Sequence, residues 1–283
     1  MATSADSADG VDDLDAGGRR IFGLAVPALG VLVAEPLYLL FDTAVVGRLG
    51  ALALAGLAVG GLILTQVSTQ LTFLSYGTTA RAARMHGAGD RAGAVREGVQ
   101  ATGLGLGIGV IIVIVVQLLA SPVTELIAGG HDIADEALSW LRVALFGAPL
   151  ILVGMAGNGW MRGVQDTIRP LRFVVAGLAV SAVLCPVLVY GWFGAPRLEL
   201  VGSAVANVVG QSIAGVLFIS ALVREQVELR PRFAVMRAQL VLGRDLIARS
   251  LAFQACFVSA GAVASRFGAA SVAAHQIVLQ LWN

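Results

Sequence analysis

The chain has 283 residues, of which 57% are hydrophobic and 13% charged, and its formal net charge is +1. Soluble domains carry about 25% charged residues, so the composition excludes an ordinary water-soluble enzyme. The net charge by itself says nothing about nucleic acid, but aromatics interleaved with basic residues, which would suggest a nucleic-acid surface, are absent.

Residues 1–18 are polar, acidic and rich in Ala, Ser and Gly, and are expected to form a disordered tail. They lack the basic start and cleavage site of a secretory signal. Beyond them, no charge occurs over 51–80, 98–124, 143–161, 173–196, 200–223 or 250–265. A spanning helix needs about 17–25 residues, so the expected class is an all-α polytopic membrane protein. A β-barrel would show alternating segments, which are absent. Eight apolar segments are placed at roughly 21–46, 52–76, 98–121, 138–160, 172–193, 200–223, 246–266 and 270–283. The last is short of a full span, and the sequence is expected to be a fragment of a longer chain. An echo of Leu49–Ala55 in Phe267–Ala273 suggests a parallel repeat starting near the seventh segment.

The first segment holds two carboxylates, Glu35 and Asp42. Seven residues apart, they lie about 20° from eclipsed on a helix. A charge inside a bilayer costs several kcal/mol, so such acids mark function by default. A snorkelling side chain near the helix end is the plain alternative for Asp42; Glu35, nearer mid-membrane, is harder to excuse. Pro27 and Pro36 lie in the same helix, and each frees a carbonyl one turn back. A kinked helix with freed carbonyls and two acids fits an ion pathway.

The second segment carries Gln66 and Gln70 on one face. These two, with Asn158, Asn207 and Gln211 further on, either line a wet cavity or make interhelical hydrogen bonds. Gly103, Gly105, Gly107 and Gly109 are expected to serve close helix packing, since no strand and no phosphate-binding Lys accompany them. In the turn Arg162–Pro170, Asp166 and Thr167 are N-cap candidates for the next helix, with Pro170 in its first turn. His86 and His131 fall in loops, and His275 is read as a packed histidine. The two cysteines, Cys185 and Cys256, sit in apolar runs as packing residues. No catalytic set and no metal-ligand spacing emerges, so no cofactor is expected. With the N-terminus inside, fifteen of the 19 arginines fall on inside loops and four outside, and the acidic loop 125–136 lies outside.

The runs Leu24–Leu29, Glu35–Leu37 and Phe41–Gly50 resemble the first helix of the multidrug and toxic compound extrusion (MATE) transporters, in particular the DinF-like branch. Arg162–Pro170 resembles that family's turn between helices four and five. Leu188–Gly191 and Gly202–Asn207 are similar to the end of helix five and the start of helix six. The resemblance runs from about Arg19 through nearly the whole chain. It implies a twelve-helix fold in two six-helix lobes, of which this chain would hold a tail (1–18), the first lobe (19–224), a cytoplasmic linker (225–245) and the start of the second lobe (246–283). It implies a bacterial inner-membrane antiporter, monomeric when complete, that exports cationic or amphipathic small molecules in exchange for H⁺ or Na⁺. Asp42 matches the family's coupling aspartate. The family's fifth helix often carries an Asn and, four residues on, an acid or amide; Ser181 and Cys185 stand there instead, which leaves Glu35 a larger share. Two alternatives are a flippase of lipid-linked precursors, which calls for a more cationic cavity, and a membrane-embedded transferase, which calls for clustered acids or histidines.

Overall fold

The structure is a computed structural model that describes residues 6–227, 230, 232–267, 274 and 278. The described residues form helices and turns with no strand. Helix α1 (Asp6–Gly47) takes in most of the polar segment ahead of Arg19 and passes through Pro27 and Pro36 as one run. Helices α2 (Ala51–Gln70) and α3 (Phe73–Gly87) make one span broken at Leu71–Thr72. There the Thr72 hydroxyl donates to the Thr69 carbonyl at 2.7 Å, a local bond that competes with the helical pattern. Helix α4 (Arg91–Ile127) is the third span. The fourth joins α5 (His131–Ala144) to α6 (Ala148–Gly163) through a 3₁₀ turn, with Pro149 tolerated in the first turn of α6. Helices α7 (Ile168–Tyr190) and α8 (Glu199–Arg224) complete the lobe, and α9 (Phe233–Ser265) follows.

Six runs, 22–47, 51–87, 91–127, 131–163, 168–190 and 199–224, are long and apolar enough to cross a membrane. They match the first six expected segments in order. Their ends differ because a helix does not stop where its apolar stretch stops. α4 continues outward to Arg91 and α3 through Arg81 and Arg84. For the same reason α9 starts at Phe233, inside the expected linker, since its first turns carry Arg237 and Arg244. The eighth segment with His275, and all of the Phe267–Ala273 echo except Phe267, lie outside the described residues apart from isolated positions.

Without a hydrophobic drive between helices in lipid, close approach through small residues holds such a bundle together. α7 and α8 meet at Gly177 and Gly210. A Cβ added to Gly177 would lie 2.5 Å from the Gly210 carbonyl oxygen, and one added to Gly202 2.7 Å from the Leu188 carbonyl carbon. Of the four alternating glycines in α4, Gly105 and Gly109 face α6, against Leu152 and Pro149, while a Cβ on Gly103 or Gly107 would meet nothing within 4 Å. Large apolar side chains such as Leu118 and Val183 point outward, as lipid-facing positions do.

One end of the bundle gathers the arginine-rich turns. Arg91 pairs with Glu225 at 3.0 Å, and Arg169 reaches both Asp166 at 2.9 Å and Glu225 at 3.7 Å. Of the two N-cap candidates for α7, Asp166 does the capping: its Oδ1 accepts from the Arg169 backbone N–H at 3.1 Å, and among the described residues the Thr167 hydroxyl has no partner. The far end of α7 closes on Gly191 at φ 75°, a left-handed cap that favours glycine.

Candidate functional site

Three helices each bring one pair of residues four apart to the same place. They are Tyr38 and Asp42 on α1, Ser181 and Cys185 on α7, and Ser203 and Asn207 on α8. The spacing puts each pair on one face of its helix, a turn apart. The pairs mesh in two layers. In one, the Ser181 hydroxyl donates to the Tyr38 oxygen at 2.6 Å, and Asn207 also hydrogen-bonds Tyr38. In the other, the Cys185 thiol donates to Asp42 Oδ1 at 3.1 Å, and the Ser203 hydroxyl hydrogen-bonds the same carboxylate. The order is 38 with 181 and 42 with 185, but 38 with 207 and 42 with 203. That is what α1 parallel to α7 and antiparallel to α8 requires.

The site is closed. Asp42 is 3% exposed, Ser181 1% and Cys185 fully buried. Val45, Val189 and Ala206 pack around it with Cys185. The Tyr190 hydroxyl donates to the Val45 carbonyl at 2.7 Å, a second donor to an oxygen near the end of α1 that also accepts from the Arg48 N–H at 3.3 Å. A third contact reaches the carboxylate indirectly. Trp140 Nε1–H donates to Ser203 Oγ at 2.9 Å. Indole can only donate, so it takes an acceptor site on Ser203 and leaves the hydroxyl proton for Asp42.

This arrangement has two chemical states. An ionised Asp42 accepts from both neighbours. A neutral Asp42 carries its own O–H, which needs an acceptor, and the surrounding donors must turn away. Proton uptake therefore changes what α7 and α8 offer to α1.

The other expected residues are not all brought here. Glu35 is exposed, and among the described residues nothing bonds it. It shares a face with Asp42 but lies two turns away, clear of the meshed pairs. Gln66 is exposed, whereas Gln70 points to α9 and donates from Nε2 to Gln254 Oε1 at 3.2 Å. Asn158 is half-buried, and its Oδ1 has no partner among the described residues. Asn207 and Ser181 are in the site. Tyr38, Ser203, Trp140 and Tyr190 were not singled out by sequence. Tyr38 carried a usable signal, four residues before an intramembrane acid; Trp140 carried none, since a mid-helix Trp reads as core.

The MatE family model matches residues 27–187 of this chain. Protein DETOXIFICATION 44, chloroplastic, of Arabidopsis thaliana is 31% identical over 94% of this chain and 53% of its own length. DNA damage-inducible protein F of Escherichia coli K12 is 28% identical over 93% of this chain and 58% of its own length. Among solved structures, a MOP superfamily transporter from Pyrococcus furiosus superposes with a TM-score of 0.78 at 24% identity, over 93% of this chain and 59% of that one, a likeness that bears on the fold. The chain thus spans a little over half the length of the relatives it matches.

Proposed function

This chain belongs to the MatE family of multidrug efflux transporters, and we propose that it works in a secondary antiporter that expels cationic or amphipathic small molecules in exchange for H⁺, with Asp42 as the coupling group. The observation that carries this reading is the closed cluster of Asp42 with Cys185, Ser203, Tyr38 and Ser181. Among the described residues the site has a single carboxylate, which supports one proton as the unit of exchange. A sulfur atom stands against that carboxylate at 3.1 Å, and thiols are poor ligands for hard cations, which supports H⁺ over Na⁺. The two protonation states favour different packings of α1 against α7 and α8, and alternation between lobe arrangements follows from that difference. One H⁺ exchanged for one monovalent cation moves no net charge, so the drive is the pH difference, and one pH unit supplies about 1.4 kcal/mol, enough for roughly tenfold accumulation of substrate on the far side.

Trp140 enters as a positioning residue. Trp140→Phe keeps the ring and removes the N–H, so Ser203 is no longer held as a donor to Asp42. Export should fall about three- to tenfold, the loss of one buried hydrogen bond. In a Ser203→Ala background the same change should cost nothing further, because both act through one hydroxyl. Additive losses, measured as dye efflux from vesicles, would contradict this role.

The proposed membrane orientation places the arginine-rich end in the cytoplasm of a bacterial cell. In a Cys256→Ser background, a cysteine at Asp132 should react with an impermeant thiol reagent on intact cells, and one at Ala88 should react only after the cells are opened. The reverse pattern would overturn the orientation.

A further inference from the structure

The acid Glu97 is 4% exposed, and the coupling scheme does not use it. It lies on α4 near the arginine-rich end. Arg81 grips it with two nitrogens, at 2.8 Å to Oε1 and 2.7 Å to Oε2, and Gln239 Nε2 of α9 donates to Oε2 at 3.2 Å. One turn on, the buried Gln100 carboxamide donates to the Arg230 carbonyl at 2.8 Å and accepts from the Arg232 N–H at 2.6 Å. It engages the backbone ahead of α9 as a neighbouring strand would. Deeper in the bundle the Phe73 ring lies against Gly243, where a Cβ would collide with it. Deeper still is the bond from Gln70 to Gln254. Residues 239, 243 and 254 fall on one stripe of α9, within about 60°. Apart from the Arg81–Glu97 pair, every contact in this set joins the first lobe to the polypeptide after it.

We propose that these contacts form a releasable latch, which keeps the arginine-rich end of the two lobes closed and parts as a unit when that end opens. Two features suit it to opening. Glu97 remains paired with Arg81 when Gln239 leaves, so parting orphans no charge. Among the described residues the Oε1 atoms of Gln70 and Gln239 are buried without a partner in the closed arrangement, and opening gives them water. An interface meant to stay shut would satisfy these amides or replace them with apolar side chains. Gln100 supplies the register, since its two bonds hold Arg230 and Arg232 against α4. The latch itself is independent of the antiport reading, but its opening during turnover rests on it.

Two measurements separate the two claims. Trypsin should cut the Arg232–Phe233 bond slowly in the detergent-solubilised protein. Gln100→Ala should speed this cut about tenfold, as loss of two backbone-directed hydrogen bonds to a locally opening segment predicts, with cleavage at Arg197 unchanged. Gln100→Glu, which keeps the acceptor and loses the donor, should fall between. Equal rates at Arg232 in wild type and Gln100→Ala would overturn the latch whatever the protein transports. The second measurement uses Gln70→Cys/Gln254→Cys in a Cys256→Ser background, in the protein expressed from its native gene. A short reducible bis-thiosulfonate linker should abolish dye export, reduction should restore it, and the mono-functional reagent should not mimic it. Undiminished export by the fully linked protein would overturn release of the latch. If wild type exports nothing while the trypsin result holds, the antiport reading fails and the latch stands.

Discussion

Asp42→Asn should abolish proton-driven export and leave the amount of protein in the membrane unchanged. The amide keeps the shape of the carboxylate and accepts through its oxygen from the Cys185 thiol or the Ser203 hydroxyl. It cannot release and rebind a proton. Because the change removes a buried ionisable group rather than one member of a charge pair, stability should hold or rise. The expected loss is complete, at least about a hundredfold, since the interaction exists only to couple two states. Glu35→Gln is the contrast. Glu35 is exposed and bonded to nothing among the described residues, so its loss should be several times smaller. Efflux of a cationic dye from proteoliposomes, driven by a pH gradient, reads both. Equal losses would return Glu35 to a share in coupling.

The other large effect is on folding. Gly210→Leu should separate α7 from α8, because even a Cβ there would sit 2.7 Å from the Gly177 carbonyl oxygen and 2.8 Å from Ser181 Cβ. Overpacking of this kind costs about 1–3 kcal/mol, and here the collision is with backbone that cannot rotate away. The midpoint of thermal aggregation in detergent should fall by several degrees. Export should fall too, since Ser181 is displaced from Tyr38. Gly107→Leu is the control. A Cβ at Gly107 meets nothing, so the added side chain points into lipid and the midpoint should not move. A drop for Gly107→Leu equal to that for Gly210→Leu would contradict the contact account, because Leu is the better helix former and propensity alone would not lower the midpoint.

Those glycines illustrate what sequence could and could not carry. Runs of uncharged residues set the class and the order of the first six spans, because a bilayer tolerates little else. The expectation that the α4 glycines pack against a neighbour held for half of them. Gly105 and Gly109 share a face, and Gly103 and Gly107 lie on another; only the partner helix tells the two faces apart. Helix ends were harder to place because α3, α4 and α9 continue into charged residues beyond their apolar stretch. At the site, Asp42 was legible as an acid where acids are costly. Ser181 and Cys185 were legible as departures from a pattern, and the structure places them directly against Tyr38 and Asp42. Trp140 and Ser203 were invisible, since their meaning lies in a bond between residues 63 apart in the chain. Glu97 falls one residue outside the expected 98–121 segment, beside Arg96, so nothing in the sequence marks it; its burial comes from Arg81 of α3 and Gln239 of α9 closing on it.

Proton counting tests the central claim most directly. The protein expressed from its native gene is purified in weakly buffered detergent solution with a pH indicator and mixed with a cationic substrate. If Asp42 exchanges its proton for substrate, wild type should release up to one H⁺ per protein, and Asp42→Asn should bind the dye and release none. Equal proton release by wild type and Asp42→Asn would contradict the account.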